Sequence, residues 1–480
     1  MRHGGGTAKE SGSGSELADP AEIPGETRAV NHEAERRHAR AVELQRRGDL
    51  EQAQRAFGEV LDLHPDHGGA LVGLGHVLRL RGLRTAAAAV LRRASRVLPR
   101  DATVRGTLGL TLRELGEPEA ALAELYRAVE LAPNQPETQQ NLGLALTDLG
   151  HFAEAERCFE KSLRLQPEPT TELDLALCRL AAGDYRQGFA GLEARWKLRR
   201  LPRPHANIPL WDGRPLDGRR ILVFNEQAYG DGILFARFVK RLRAAGASAV
   251  VLECHRPLAR LFAVLEGIDR VVVRGEAMPA VDCCISLLSL PALLGIEQEE
   301  IEPGPYLIAS AVGRPPLERP PEARLAVGLC WAGRPTHRMD RHRSAGLKAF
   351  LPLLGRPGTA YYSLQKGAAA AELAHLGVGG LVRDLSTQID DLADAAHWMA
   401  QMDLVITVDT AIAHLAGALD IPCWVVLPFL VDWRWGRVGD ETHWYERTHL
   451  FRQPRPGDWA SVFAEIDDAM AQVLDNWAKQ

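Results

Sequence analysis

The chain carries no surplus of positive charge: 57 Lys and Arg stand against 62 Asp and Glu, a formal net charge of −5. A surface that tracks nucleic-acid phosphates needs a basic excess, so binding to duplex or RNA is not expected. No uncharged apolar run reaches the ~18 residues that a membrane span requires. Cysteine is scarce and odd in number, seven in all, with no Cys-x-x-Cys pair. Cys158, Cys178, Cys254, Cys283, Cys284, Cys330 and Cys423 lie mostly inside apolar runs, which excludes a disulfide framework or zinc ribbon. They read as reduced core residues of a cytoplasmic protein. The segment Met1 to Ser15 is rich in Gly and Ser and has no apolar run of a signal peptide, so it reads as a disordered tail.

At 480 residues the chain is long enough for two to four domains. Its first half repeats. Pro65, Pro99, Pro133 and Pro167 fall 34 residues apart, as do Gly48, Gly82, Gly116 and Gly150, with Gly183 one residue short of the next step. Ala53, Ala87, Ala121 and Ala155 recur at one position, each followed four residues later by Phe57, Leu91, Leu125 or Phe159. A small residue lets two helices approach, the large one fills the groove between them, and proline stops the second helix. This pattern resembles the tetratricopeptide repeat over residues 32–200, with Gly75, Gly109 and Gly143 at the family's small first-helix position and Ala41 there in the first repeat. Such an α-solenoid has a concave groove suited to a protein or peptide partner. The last unit ends in Tyr185, Phe189, Leu192 and Trp196, which read as a docking surface onto the domain C-terminal to the repeats.

Past Pro202 the pattern changes to short β-branched runs separated by helical stretches, as in parallel α/β units. Strands are expected at Ile221 to Asn225, Ala249 to Cys254, Arg270 to Arg274 and Val281 to Ser286. After a proline-rich linker at residues 313–323 they are expected at Leu325 to Trp331, Ala360 to Leu364, Leu381 to Asp384, Leu404 to Val408 and Trp424 to Leu427. The organisation expected is a tail (1–31), repeats (32–200), one α/β domain (205–312), the linker and a second α/β domain (324–480). A final amphipathic helix, Trp459 to Trp477, would pack back across the pair. Ligands of open α/β sheets bind beyond the carboxyl ends of the strands, so the polar loops there are the candidates.

Three such loops stand out. Glu226, Gln227, Gly230 and Asp231 lead into a helix, where Asp231 is placed to be a general base or only a helix cap. Trp331-Ala-Gly333 opens a turn with Arg334, His337, Arg341, His342 and Arg343, residues that suit an anion; Arg343 is the first choice for a diphosphate. Gln365 and Lys366 close another strand, with Lys366 as a second cation. Asp409 and Thr410 end a strand that runs into a helix bearing His414, so its free N–H groups face a phosphate or sugar hydroxyl. Capping alone, or a half-buried histidine, are the plainer readings of the same residues.

Taken together, Glu226-Gln-Ala-Tyr-Gly-Asp231, Trp331-Ala-Gly333, Ser363-Leu-Gln-Lys-Gly367, Thr407-Val-Asp-Thr-Ala-Ile-Ala-His-Leu-Ala-Gly417 and Leu427-Pro-Phe-Leu-Val-Asp-Trp-Arg-Trp435 resemble glycosyltransferase family nine, the heptosyltransferases. The order of parts is similar to O-linked N-acetylglucosamine transferase. The resemblance implies a GT-B fold of two Rossmann-like domains and transfer of a sugar from a nucleoside-diphosphate sugar to an acceptor, such as a protein held by the repeats. It also implies that Asp231 is the base of an acceptor-side loop containing Glu226, Gln227 and Gly230. On the donor side it implies Trp331, Gly333, Arg343, Gln365, Lys366, Asp409, Thr410 and His414. Arg343 and Lys366 stand roughly where relatives carry a phosphate-binding lysine, and Ala228 stands where relatives often have Gly. No Asp-x-Asp occurs in the chain, so no metal or other cofactor is expected, the nucleotide sugar being a substrate. The rival readings are a noncatalytic scaffold with a degenerate α/β half and a nucleotide-sugar epimerase.

Overall fold

The computed structural model describes residues 25–198, 203–309, 315–337 and 339–478. Met1 to Ser15 and the first residues of the expected linker lie outside them. By internal contacts the chain divides into two compact units, residues 1–115 and 116–480.

The first unit is helical: Gly25–Arg46, Leu50–Leu63, Gly68–Leu80, Arg84–Val97 and Ala102–Leu115. Its first helix begins ahead of residue 32. Gly48 and Gly82 have φ of +83° and +80° and turn the chain between paired helices, a conformation that costs a side chain but not glycine. Ala53, Phe57, Ala87 and Leu91 are fully buried. Gly75 is small for a steric reason, because a Cβ there would lie 2.6 Å from Leu91.

The second unit opens with helices Pro118–Leu131, Pro136–Asp148, Phe152–Leu165, Pro169–Ala181 and Tyr185–Gly191, in the same pattern. Ala121, Leu125, Ala155 and Phe159 are buried, and a Cβ on Gly143 would sit 2.8 Å from Phe159. The docking surface is found as expected. Tyr185 stacks on Trp444 at a centroid distance of 5.8 Å. Phe189 meets Phe235 at 6.1 Å and Trp433 at 5.9 Å, and Trp196 meets Phe224 at 6.3 Å.

Two parallel sheets complete this unit. The first contains β1 (Arg220–Phe224), β2 (Ala249–Cys254), β3 (Arg270–Val273) and β4 (Cys283–Ser286) in the order β3-β2-β1-β4. The second contains β5 (Leu325–Cys330), β6 (Thr359–Ser363), β7 (Val382–Asp384), β8 (Leu404–Val408), β9 (Cys423–Leu427) and β10 (Thr448–Arg452). Its order is β10-β9-β8-β5-β6-β7, the doubly wound order in which the chain reverses direction between β5 and β8. Strand bounds match the expected ones at β2 and β8 and differ elsewhere by a residue or two, and β10 is an edge strand that the pattern did not announce.

Both faces of the second sheet are covered, which is why its central strands β5 and β8 are buried along their whole length. Leu325, Val327 and Leu329 of β5 face a core shared with Val462, Phe463, Ile466 and Met470 of the helix Trp459–Ala478. That helix therefore packs on one face of the second sheet instead of bridging the two sheets. Ala326 and Cys330 of β5 face the other core, which also holds Ile221 and Val223 of β1 and Tyr185 and Phe189 of the last repeat. All seven cysteines are buried and unpaired.

Candidate active site

The helices that come after β1 and β8, Tyr229–Ala236 and Ala411–Ala418, pack against each other. The carboxyl ends of the two sheets therefore meet here, as the strand-end argument requires. Gly230 makes the contact possible, since a Cβ on it would lie 2.9 Å from His414 Cδ2. Ala228, at the start of the first of these helices, has φ −69°. That is ordinary backbone, so the alanine needs none of glycine's freedom.

Asp231 does not stand alone. It accepts a hydrogen bond from Arg434 Nη2, while Arg434 Nη1 donates to Asp432 at 2.7 Å. The Arg434 guanidinium lies 4.7 Å above the Trp433 ring, and its side chain is only 15% exposed. Burial pushes the Asp231 carboxyl above its usual range, with Arg434 opposing the rise. Asp409 is raised as well, first by burial and then by the neighbouring charge of Asp432. Asp432 goes the other way: burial works against its charge, but Arg434 outweighs it and holds the carboxyl low. The guanidinium thus sits among three carboxylates, two of which resist ionisation.

His414 is buried in this cluster. Its Nδ1 lies 3.0 Å from the Tyr445 hydroxyl, and its ring stacks on Trp435 at 5.1 Å. Burial and then the charge of Arg434 hold its pKa down at about 3, so the ring is neutral at pH 7. Tyr445 has a seat because position 417 is glycine, where a Cβ would lie 2.2 Å from its ring. Thr410 caps the helix, its hydroxyl accepting from Ile412 N at 3.2 Å.

Arg343 reaches the same place. Its Nη1 donates to the Asp409 carbonyl at 2.9 Å, and its Nε faces Asp340 at 3.4 Å. Gly333 is the residue that admits it, since a Cβ there would lie 2.5 Å from Arg343 Nη2.

Four expected site residues serve as supports. Gln365 accepts from the amides of Trp331 and Ala332 at 3.0 and 2.9 Å. Its amide nitrogen donates to the Ala332 and Lys366 carbonyls at 3.0 and 2.9 Å. Both lone pairs and both protons are used, so Gln365 pins the loop after β5 and has nothing left for a ligand. Trp331 is fully buried and donates to the Ala369 carbonyl at 3.2 Å. Lys366 Nζ donates to the carbonyls of Ser386 and Ile389, both at 2.7 Å, which ties two loops together. Glu226 has a side chain only 1% exposed and pairs with Arg195 at 2.7 Å, with Ser286 donating to it at 2.7 Å. It locks the last helical segment of the repeats to the first sheet. Gln227 lies in the same turn, its backbone N–H donating to the Asn225 side-chain oxygen at 3.1 Å.

The structure thus brings Gly230, Asp231, Arg343, Asp409, Thr410 and His414 together. Sequence reasoning assigned no role to Asp432, Arg434, Trp435 or Tyr445. The signal was present in Asp432-Trp-Arg-Trp435, where charges alternate with tryptophan immediately beyond a strand end.

Comparison with known proteins bears on the helical part. Residues 38–96 and residues 100–168 each match the family described as tetratricopeptide repeat. These helices are tetratricopeptide repeats. Among curated proteins, FlbA of Caulobacter vibrioides is 25% identical over 341 residues, 61% of this chain and 53% of FlbA. The chain spans about half the length of that relative. Among solved structures, YrrB, described as a TPR protein with an unusual peptide-binding site, is 22% identical at a TM-score of 0.31, covering 36% of this chain and 91% of YrrB. PilF of Pseudomonas aeruginosa is 26% identical at a TM-score of 0.31, covering 34% of this chain and 77% of its own. Among the described residues, no helix is long and apolar enough to cross a membrane.

Proposed function

We propose that the α/β region is a GT-B glycosyltransferase that binds a nucleoside-diphosphate sugar where the two sheets meet and passes the sugar to an acceptor, such as a protein, brought by the repeats. The observation that carries this reading is the Asp231–Arg434 pair. It puts a carboxylate with a raised pKa from the first sheet against a guanidinium from the second, beside the helix start at Thr410. In the proposed reaction Asp231 takes the proton of an acceptor hydroxyl as that oxygen attacks the anomeric carbon. The bond from that carbon to the diphosphate breaks, and the diphosphate leaves with the electron pair. Negative charge then grows on the diphosphate, and preorganised donors aimed at it stabilise the transition state. Arg434 and Arg343 supply the opposing positive charge, a role that sequence reasoning gave to Arg343 and Lys366. An arginine that leaves Asp231 for the diphosphate also stops holding the carboxyl pKa down, so donor binding makes Asp231 a stronger base.

The test is calorimetry with UDP, GDP and ADP sugars, followed by turnover. Asp231→Asn should leave donor affinity at least as strong as the parent's, since it removes the carboxylate that competes for Arg434, and should abolish transfer. Arg343→Ala should weaken donor binding by about 1.5–3 kcal/mol, the range for a hydrogen bond to a charged group. One specific observation favours a second reading, a noncatalytic scaffold: Gly230 is in close contact with His414, and Asp231 is already paired. Failure of every nucleotide sugar to bind the folded chain selects that reading.

A further inference from the structure

The first repeat carries a group of side chains that the proposed transfer does not use. Glu35 and His38 are three residues apart on the helix Gly25–Arg46, so they share a face. His67 stands in the turn before the helix Gly68–Leu80. One donor atom from each of the three lies within 4.8 Å of the others. His67 Nε2 is 3.3 Å from Glu35 Oε1, and the His38 and His67 rings are 4.8 Å apart.

We propose that Glu35, His38 and His67 form a zinc site that fastens the first helix of the repeat array to the start of the third. Two imidazoles and one carboxylate are a donor set that zinc accepts, with a fourth position left for water. Tetrahedral zinc at about 2.0–2.1 Å from its ligands needs donors about 3.3 Å apart, the separation already present between His67 and Glu35. His38 is prepared for the role. Its ring is half-buried and hydrogen-bonded to the Gly69 backbone. A ligand histidine held by a backbone hydrogen bond keeps its ring orientation. Glycine at 69 leaves the room, because a Cβ there would lie 2.9 Å from His38 Nε2.

The protons can be followed. His67 Nδ1 accepts the Ala70 amide at 3.1 Å, which leaves Nε2 as the nitrogen that carries a proton toward Glu35. Zinc takes that position. The ring's proton moves to Nδ1, the Ala70 amide is released, and the carboxylate turns from the imidazole N–H to the metal. No redox change occurs.

The experiment titrates zinc chloride into the full chain by calorimetry and tracks thermal unfolding alongside. The expected result is one zinc per chain and a raised unfolding midpoint. Glu35→Gln removes an exposed carboxylate, and His67→Asn removes the imidazole while keeping a side chain that can cap the helix. Each should weaken zinc by at least about tenfold and abolish the rise in midpoint, in the range seen when groups around a metal are lost. Zinc bound with unchanged affinity and stoichiometry by both variants overturns the proposal, as does the absence of binding to the parent chain.

Discussion

In the repeats, buried positions such as Ala53, Phe57, Ala155 and Phe159 are apolar and recur at a fixed interval. Around Asp231 the packed groups are charged, mostly half-buried, and come from segments far apart in sequence, at positions 231, 343, 409, 432 and 434. The repeats are stabilised by filling space, and each contact is close in the chain. The sheet-end cluster is stabilised only while its charges remain matched, since a buried ion that loses its partner is costly. The two regions should therefore answer to different perturbations.

The sharpest contrast comes from Arg434→Ala, which leaves Asp231 and Asp432 facing each other without their cation. We expect a loss of about 3 kcal/mol, the upper end for hydrogen bonds to a charged group, read as a lower urea midpoint for the unit that contains residues 116–480. Acidification should separate the regions next. His414 has a folded pKa of about 3, below the ordinary 6.5. Its contribution is present in full above about pH 6.5 and is lost as pH falls toward 3, because only the unfolded chain then takes up the proton. Asp231 and Asp409, raised instead, oppose this trend: their protonation in acid favours the folded state. In His414→Gln the loss of stability between about pH 7 and about pH 4 should shrink. Were that variant to keep the parent's slope, the histidine would not be a source of acid sensitivity.

Packing in the repeats is probed by Gly143→Ala. Its new methyl lies 2.8 Å from Phe159, and we expect a cost of about 1–3 kcal/mol by overpacking. The smallest effect should come from Gly48→Ala, where nothing lies within 4 Å and only the positive φ of +83° is strained. About 1 kcal/mol is expected there, read as a shift in thermal midpoint.

The same contrast governs what could be read from the chain. The repeats were legible because their period places Gly48, Gly82, Gly116, Gly150 and Gly183, all with positive φ, in equivalent turns. Strands of the α/β half were legible as runs, since a parallel strand covered on both faces is apolar throughout. Their order in the sheets was not, because it depends on partners distant in sequence. Strand β10 escaped notice because its run Thr448–Arg452 carries His449 and Arg452 among its apolar residues. Gln365, Lys366 and Glu226 were correctly marked as polar residues near strand ends. Whether a polar group faces a ligand or a neighbouring loop is decided by long-range contacts such as Glu226 to Arg195, which no local motif encodes.

Trp433 meets Tyr185 and Phe189 in T-shaped contacts and carries the Arg434 guanidinium over its ring. A shortened chain that began at residue 203 would strip that indole of both repeat-borne rings and leave the adjacent arginine leaning on an unsupported wall. Anyone dividing this protein for separate production should place the cut upstream of Pro169, so that the last helical hairpin travels with the sheets.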